Sequence, residues 1–187
     1  MTSDPRGRPF PAGSVVVITG IMGAGKSTVA QLLAERLPRA AHVRGDAFRR
    51  MIVTGRAEMV PSADAEALAQ LRLRYGLASQ VADGYAAAGF TAVYQDILLG
   101  DDLGRIADHV RSRPLFVVVL APRPDVVQRR AESRSKVSGY GTWTVEMLDE
   151  MVRATPRLGL WLDTSDESAE ATVDEIWRRA AEAEVGG

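Results

Sequence analysis

The run SVVVIT at residues 14–19 leads straight into GIMGAGKS at residues 20–27, and no other segment constrains the chain so tightly. A β-rich apolar hexamer, a glycine-bounded loop and an amphipathic stretch marked by Val29, Leu32, Leu33 and Leu37 read as strand, loop and helix in that order. Gly20, Gly25, Lys26 and Ser27 satisfy the spacing G-x-x-x-x-G-K-[ST] in the structural context that this spacing requires. Glycines let such a loop curl until several N–H groups face phosphate oxygens, and the following helix N-terminus adds positive potential. Gly20, Met22, Gly23, Ala24 and Gly25 are therefore expected to cradle a nucleoside triphosphate. Lys26 would reach the β and γ phosphates, Ser27 would ligate Mg²⁺, and Thr28 would touch the α phosphate.

The rest of the chain repeats the opening pattern. Strand-like runs at AAHVRGD (40–46), FTAVYQD (90–96), PLFVVVLAP (114–122) and GLWLDTS (159–165) alternate with helical periodicities. One periodicity runs through Leu68, Leu71, Tyr75, Ala78, Ala82 and Tyr85. Others are marked by Leu103, Ile106 and Val110, by Val145, Leu148 and Val152, and by Val173, Ile176, Trp177 and Ala180. Strands apolar on both faces belong in a buried parallel sheet, so the expected class is doubly wound α/β, with ligands beyond the carboxyl ends of the strands. Residues 1–13, with three prolines and two glycines, read as a loose tail before one domain spanning 14–187.

Composition narrows the chemistry. A chain of 187 residues with 46% hydrophobic content can bury a core without covalent staples, and the absence of cysteine excludes disulfides, thiolate zinc sites and cysteine nucleophiles. The two histidines, His42 and His109, cannot form a metal cluster. A net charge of −1 leaves no basic face for nucleic acid or an anionic membrane, and the N-terminal MTSDPRGRPFPAG has no apolar signal core. A cytoplasmic protein acting on a small molecule, as monomer or homodimer, is the expectation. Guanine-reading loops need N/T-K-x-D, yet asparagine is absent and Lys26 and Lys136 are the only lysines. Ring-forming ATPases carry an acidic pair at the end of the third-strand equivalent, where this chain has Gln95-Asp96.

Strand-end residues supply candidate chemistry. Asp46 closes the second strand, where a carboxylate can orient an attacking alcohol and accept its proton; it also suits a helix N-cap before AFRRMI. Of Arg49 and Arg50, at most one can share the inward face with Asp46, and an inward Arg49 could clamp an anionic acceptor, whereas an outward one is a solvated cation. Asp96 closes the third strand and could hold Mg²⁺ directly or through water. Gln95 reads either as an acceptor ligand or as an ordinary buried amide. After the fourth strand, PRPDVVQRRAESRSKVSGYGTWT gathers Arg129, Arg130, Arg134 and Lys136 into a lid at about 123–143, in which Arg130 and Arg134 share one helical face. Trp161 is expected in the core; Tyr140 and Trp143 are expected to be exposed and available to a ligand.

With GIMGAGKST, VRGDAF, AVYQDILLGDD and RRAESR in hand, the chain resembles the P-loop kinases of the nucleoside monophosphate kinase superfamily over nearly its whole length. Within that superfamily it resembles the chloramphenicol phosphotransferase-like group. The resemblance implies a three-layer α/β fold with a five-stranded parallel sheet in order 2-3-1-4-5. It also implies ATP as donor with Mg²⁺, GTP being an alternative, and transfer to a hydroxyl of a small molecule, antibiotic or nucleoside-like, with Asp46 as base. Tunicamycin resistance proteins and zeta-type toxins look similar at the P-loop and lid. GDAFR is similar to the GDxLR stretch of adenylate kinases, in which the arginine, here Arg49, holds the acceptor phosphate, but Gln95-Asp96-Ile97-Leu98-Leu99 replaces their DGFPR. A nucleoside monophosphate or nucleotide-sugar kinase, and a nucleotide-dependent regulatory or toxin-like partner protein, are the rival readings.

Overall fold

A computed structural model describes residues 9–133 and 142–186. In chain order the elements are β1 (Val15–Thr19), α1 (Lys26–Arg36), β2 (Ala40–Arg44), α2 (Gly45–Arg50), α3 (Ala65–Ala87), β3 (Thr91–Gln95), α4 (Asp101–Gly104) and α5 (Ile106–His109). They continue with β4 (Leu115–Leu120), α6 (Pro124–Ser133), α7 (Val145–Arg153), β5 (Leu160–Leu162), α8 (Ala169–Arg178), α9 (Ala180–Ala183) and β6 (Glu184–Val185). The sheet runs β2-β3-β1-β4-β5 with every neighbouring pair parallel, as the resemblance implied. One element is additional: β6 pairs antiparallel with β4 at Leu115 and Phe116. Two residues after a helix carry no periodicity, so nothing in the sequence announces it.

Alternation along β1 divides the core into two layers. Val16 and Ile18 pack with Val29 and Leu33 of α1 and with Val173 and Ile176 of α8. Val15 and Val17 face the other side, where Tyr75, Ala78 and Ala82 of α3 and Ile106 of α5 cover them. β1, β3 and β4 are thus buried on both faces, which is why their runs read as largely apolar, whereas β2 at the sheet edge buries only Val43. Side-chain caps fix several helix starts: Ala67 N donates to Asp64 Oδ1 at 2.8 Å, and Ala171 N donates to Ser168 Oγ at 3.1 Å.

Three expectations need correction. Residues 9–13 are not loose, because Phe10 is buried edge-to-face against Phe116, with ring centroids 4.9 Å apart, and against Trp177 at 6.0 Å. The apolar stripe of α3 is rotated at both ends: Leu68 and Tyr85 are exposed, and Ala67 and Ala86 are buried in their place. The close approach of α3 to the sheet favours the small side chain at those positions. Trp143 is half-buried, packed against the α1 layer, with its Nε1 donating to Met59 O at 3.1 Å. Trp161 is partly buried against the α3 layer. Among the described residues, no helix is long and apolar enough to cross a membrane.

Candidate active site

Gly20 turns the chain out of β1 at φ 140°, and a Cβ there would come 2.3 Å from Leu120 O of β4. The loop therefore lies against the end of its neighbouring strand, and glycine alone fits. Gly25, at φ 94°, precedes α1 as its N-cap. α1 has no acid in its first turn, so nothing neutralises the positive end of its dipole. Lys26 is buried, and its Nζ donates to Gly20 O at 2.9 Å and Ile21 O at 2.8 Å, which holds the ammonium within the loop's curl. Ser27 and Thr28 are exposed on the first turn.

Beside this loop, Arg130 of α6 donates to Thr164 O at 2.9 Å. Gly25, Thr28, Arg130, Thr164, Glu167 and Thr172 line one recess between α1, α6 and the β5–α8 loop. Thr164 Oγ1 is buried there with no hydrogen-bond partner among the described residues. A buried hydroxyl left unpaired is costly unless a ligand completes it. Arg134 and Lys136, expected to share the lid with Arg130, lie outside the described residues, as does Tyr140. Arg129 points elsewhere, to Asp125 at 3.4 Å.

At the third strand's end the arrangement differs from the expectation. Asp96 is buried and held bidentately by Arg74 of α3, with Nε to Oδ2 at 3.1 Å and Nη2 to Oδ1 at 2.7 Å, and Oδ1 also accepts from Ile97 N at 2.8 Å. Burial pushes the Asp96 carboxyl up, and Arg74 and the Ile97 amide oppose that push. Direct ligation of a metal would require Arg74 to release it. Among the described residues there is no group of three or more His, Asp or Glu that could hold a metal by themselves; Mg²⁺ would fit the exposed Ser27 hydroxyl, with Asp96 acting through water and phosphate oxygens completing the shell.

Gln95 is tied to the phosphate loop by a hydrogen bond. Its Nε2 donates to Ser27 Oγ at 2.9 Å, and its Oε1 faces His42 Nε2 at 3.0 Å; the other ring nitrogen, Nδ1, lies 2.9 Å from Gln31 Oε1. A neutral imidazole donates through one nitrogen only, and which of the two amide oxygens receives that proton follows from the tautomer, since Gln31 is held as it stands by Glu35 and Arg44. His42 thereby fixes the Gln95 amide, and Gln95 fixes the serine hydroxyl. Burial holds the His42 imidazole below its ordinary 6.5. The unfolded chain then binds the proton first, so stability falls as pH drops from above 6.5 through the lowered value. His42→Gln should flatten that acid limb in denaturant titrations followed across pH, whereas an unchanged limb would remove His42 as its cause.

Asp46 lies in the first turn of α2, whose N-cap is Arg44, so the capping role is not the one it takes. Its carboxylate is half-exposed and pairs with Arg50 at 2.8 Å, while Arg49 pairs with Glu58. Gly45 explains how α2 approaches the loop: a Cβ at that position would sit 1.9 Å from Asp96 Oδ2. Ser27, Gln95, Asp96, Gly45 and Asp46 therefore form one continuous run of contacts or chain neighbours. Arg74, Gly45 and His42 were not singled out from sequence. An arginine three residues beyond Leu71, on the border of an apolar stripe, was the one available signal.

Residues 15–158 match the protein family described as "AAA domain". The chain belongs to that family. No curated protein matches the sequence. Among solved structures, the chain is similar to a Deinococcus radiodurans tunicamycin resistance protein at TM-score 0.66 and 14% identity, over 93% of this chain and 99% of that one. It is similar to a sugar kinase from Janibacter sp. HTCC2649 at TM-score 0.64 and 18% identity, over 92% and 96%. An APS kinase of Mycobacterium tuberculosis, solved with AMPPNP and APS, aligns at TM-score 0.63 and 20% identity, over 91% and 99%. At these identities the likeness is one of fold, and the AAA-domain chain shares the architecture of small P-loop kinases.

Proposed function

We propose that the protein transfers the γ-phosphoryl group of ATP to a hydroxyl of a small molecule. The observation that supports this reading is the run from Ser27 through Gln95, Asp96 and Gly45, which links the loop to α2 and its half-exposed Asp46 carboxylate through contacts and chain neighbours. In the reaction the alcohol oxygen bonds to the γ phosphorus as the bond to the β,γ-bridging oxygen breaks. ADP leaves with that electron pair, and the alcohol's proton passes to Asp46. Lys26 and the loop amides hold the triphosphate, and Arg130 covers it, with Arg134 assigned the same task. Mg²⁺ on Ser27 would offset phosphate charge. Asp96, neutralised by Arg74, anchors α2 and α3.

Hydrolysis of the kind run by ring-forming ATPases calls for a second acid beside Asp96 to activate water, and the residue there is Gln95, already spent on Ser27. A monophosphate or nucleotide-sugar acceptor would want Arg49 available, and Arg49 is paired with Glu58. The alcohol reading is therefore preferred, and a natural-product antibiotic with a free hydroxyl belongs to that class. Asp46→Asn should lower kcat by about 10²- to 10⁴-fold while leaving the KM for ATP within a few-fold. A coupled ADP assay reads this directly; unchanged kcat would remove Asp46 as base. Tight ATP binding with no acceptor turnover, together with a stoichiometric protein partner, would instead favour the regulatory or toxin-like reading.

A further inference from the structure

A second recess opens between α2, the segment leading to α3, and α3 itself, lined in part by Phe48 and Arg49 of the same short helix that carries Asp46. Its walls are chiefly apolar: Phe48, Ile52, Met59, Leu71, Leu73 and Leu77. Three polar side chains reach it, and each is already engaged. Arg74 is bidentate on Asp96, Arg49 pairs with Glu58, and Gln70 donates to Gly55 O at 2.8 Å while accepting from Ala57 N at 2.9 Å. The two guanidinium charges are matched by two carboxylates, so the recess as a whole presents no net charge to a ligand.

The rim has the same character. Leu73 is 54% exposed and Leu77 38%, while Met51 and Val53, which flank Ile52 in the chain, are 69% and 91% exposed. Large side chains left in water around an apolar recess lose that exposure when a ligand with apolar surface enters. A polyhydroxylated or anionic ligand would meet the opposite situation. Its hydroxyls would give up water without finding free partners, and its charge would have to compete with Glu58 or Asp96 for an arginine.

From this, and resting on the kinase reading above, we infer that the acceptor is an uncharged alcohol with an apolar body, seated between α2 and α3 with its hydroxyl toward Asp46, and is neither a sugar, a sugar acid nor a nucleotide. Trp143 Nε1 donates to Met59 O and so braces one wall of this recess.

The test compares phenylbutanol and naphthylethanol with glucose and gluconate as acceptors for the full chain, using ATP, Mg²⁺ and an ADP-coupled assay. Calorimetric titration of each alcohol is run in parallel in the presence of a non-hydrolysable ATP analogue. The expected result is kcat/KM at least about ten-fold higher for the aryl alcohols, with the KM for phenylbutanol raised about ten-fold or more in Leu73→Asp and the KM for ATP unmoved. Leu73 is half-exposed, so this variant should fold; Leu77→Glu serves if it does not. Faster turnover of glucose or gluconate overturns the inference and leaves the kinase reading intact. Binding of phenylbutanol that is lost in Leu73→Asp, without phosphorylation of any alcohol, supports the apolar recess and sinks the kinase reading. Neither binding nor turnover of the aryl alcohols overturns the inference.

Discussion

Replacing Lys26 by Ala is expected to abolish phosphoryl transfer while leaving the protein folded. The Lys26 ammonium already sits inside the loop, bonded to the Gly20 and Ile21 carbonyls, so it is preorganised for the phosphates instead of being recruited from solvent. A positioned cation acting on developing phosphoryl charge is worth about 10²- to 10³-fold in kcat at the least, by analogy with the loss of one oxyanion donor. Lys26→Arg should fail nearly as badly, because a planar guanidinium cannot occupy the point that a compact ammonium fills. Single-turnover kinetics with calorimetry for ATP separates chemistry from binding. A variant retaining a tenth or more of native kcat would remove Lys26 from the chemistry.

The largest expected effect on stability lies at Arg74. Its partner Asp96 has a side chain only 3% exposed, and Arg74 itself is 12% exposed, so the pair is cut off from water. Arg74→Ala leaves a buried carboxylate without its counter-ion, a change that costs about 3–5 kcal/mol in comparable settings. The sign of the pH dependence follows from burial, which already raises the Asp96 carboxyl above its ordinary 3.8 and would act unopposed by Arg74 in the variant. Between 3.8 and the raised native value the folded state holds the extra proton, so stability falls as pH rises through that window. Arg74→Ala should therefore lose least relative to the native protein in acid, and Arg74→Ala with Asp96→Asn should recover part of the loss at neutral pH. Urea titrations across pH read both. Gly45→Ala belongs with them, since its methyl would sit on Asp96 Oδ2 and force α2 away from the loop.

The fold was legible because it depends on local periodicity. β1, β3 and β4 are largely apolar or β-branched runs, and the arrangement that buries both faces of such strands between helices is a parallel sheet. The donor side of the site was legible for a similar reason: Gly20 to Thr28 is a single local segment, in which spacing alone sets the geometry. The acceptor side was not. Asp96 and Gln95 were read from strand ends, and what each touches turned on a partner distant in sequence. Arg74 is 22 residues from Asp96, and Gln95 is 68 residues from Ser27.

The sequence by itself determined the parallel α/β architecture and a loop of phosphate-binding spacing, because both leave local signatures: strand and helix periodicities for the first, and glycine, lysine and serine spacing for the second. Only the tertiary structure decided that Asp96 is paired with Arg74, that His42 and Gln95 orient Ser27, and that an apolar recess opens between α2 and α3. Those facts depend on which side chains of α1, α2 and α3 meet across the sheet edge, and in a packed interior such meetings follow from the placement of whole elements, which no local spacing encodes.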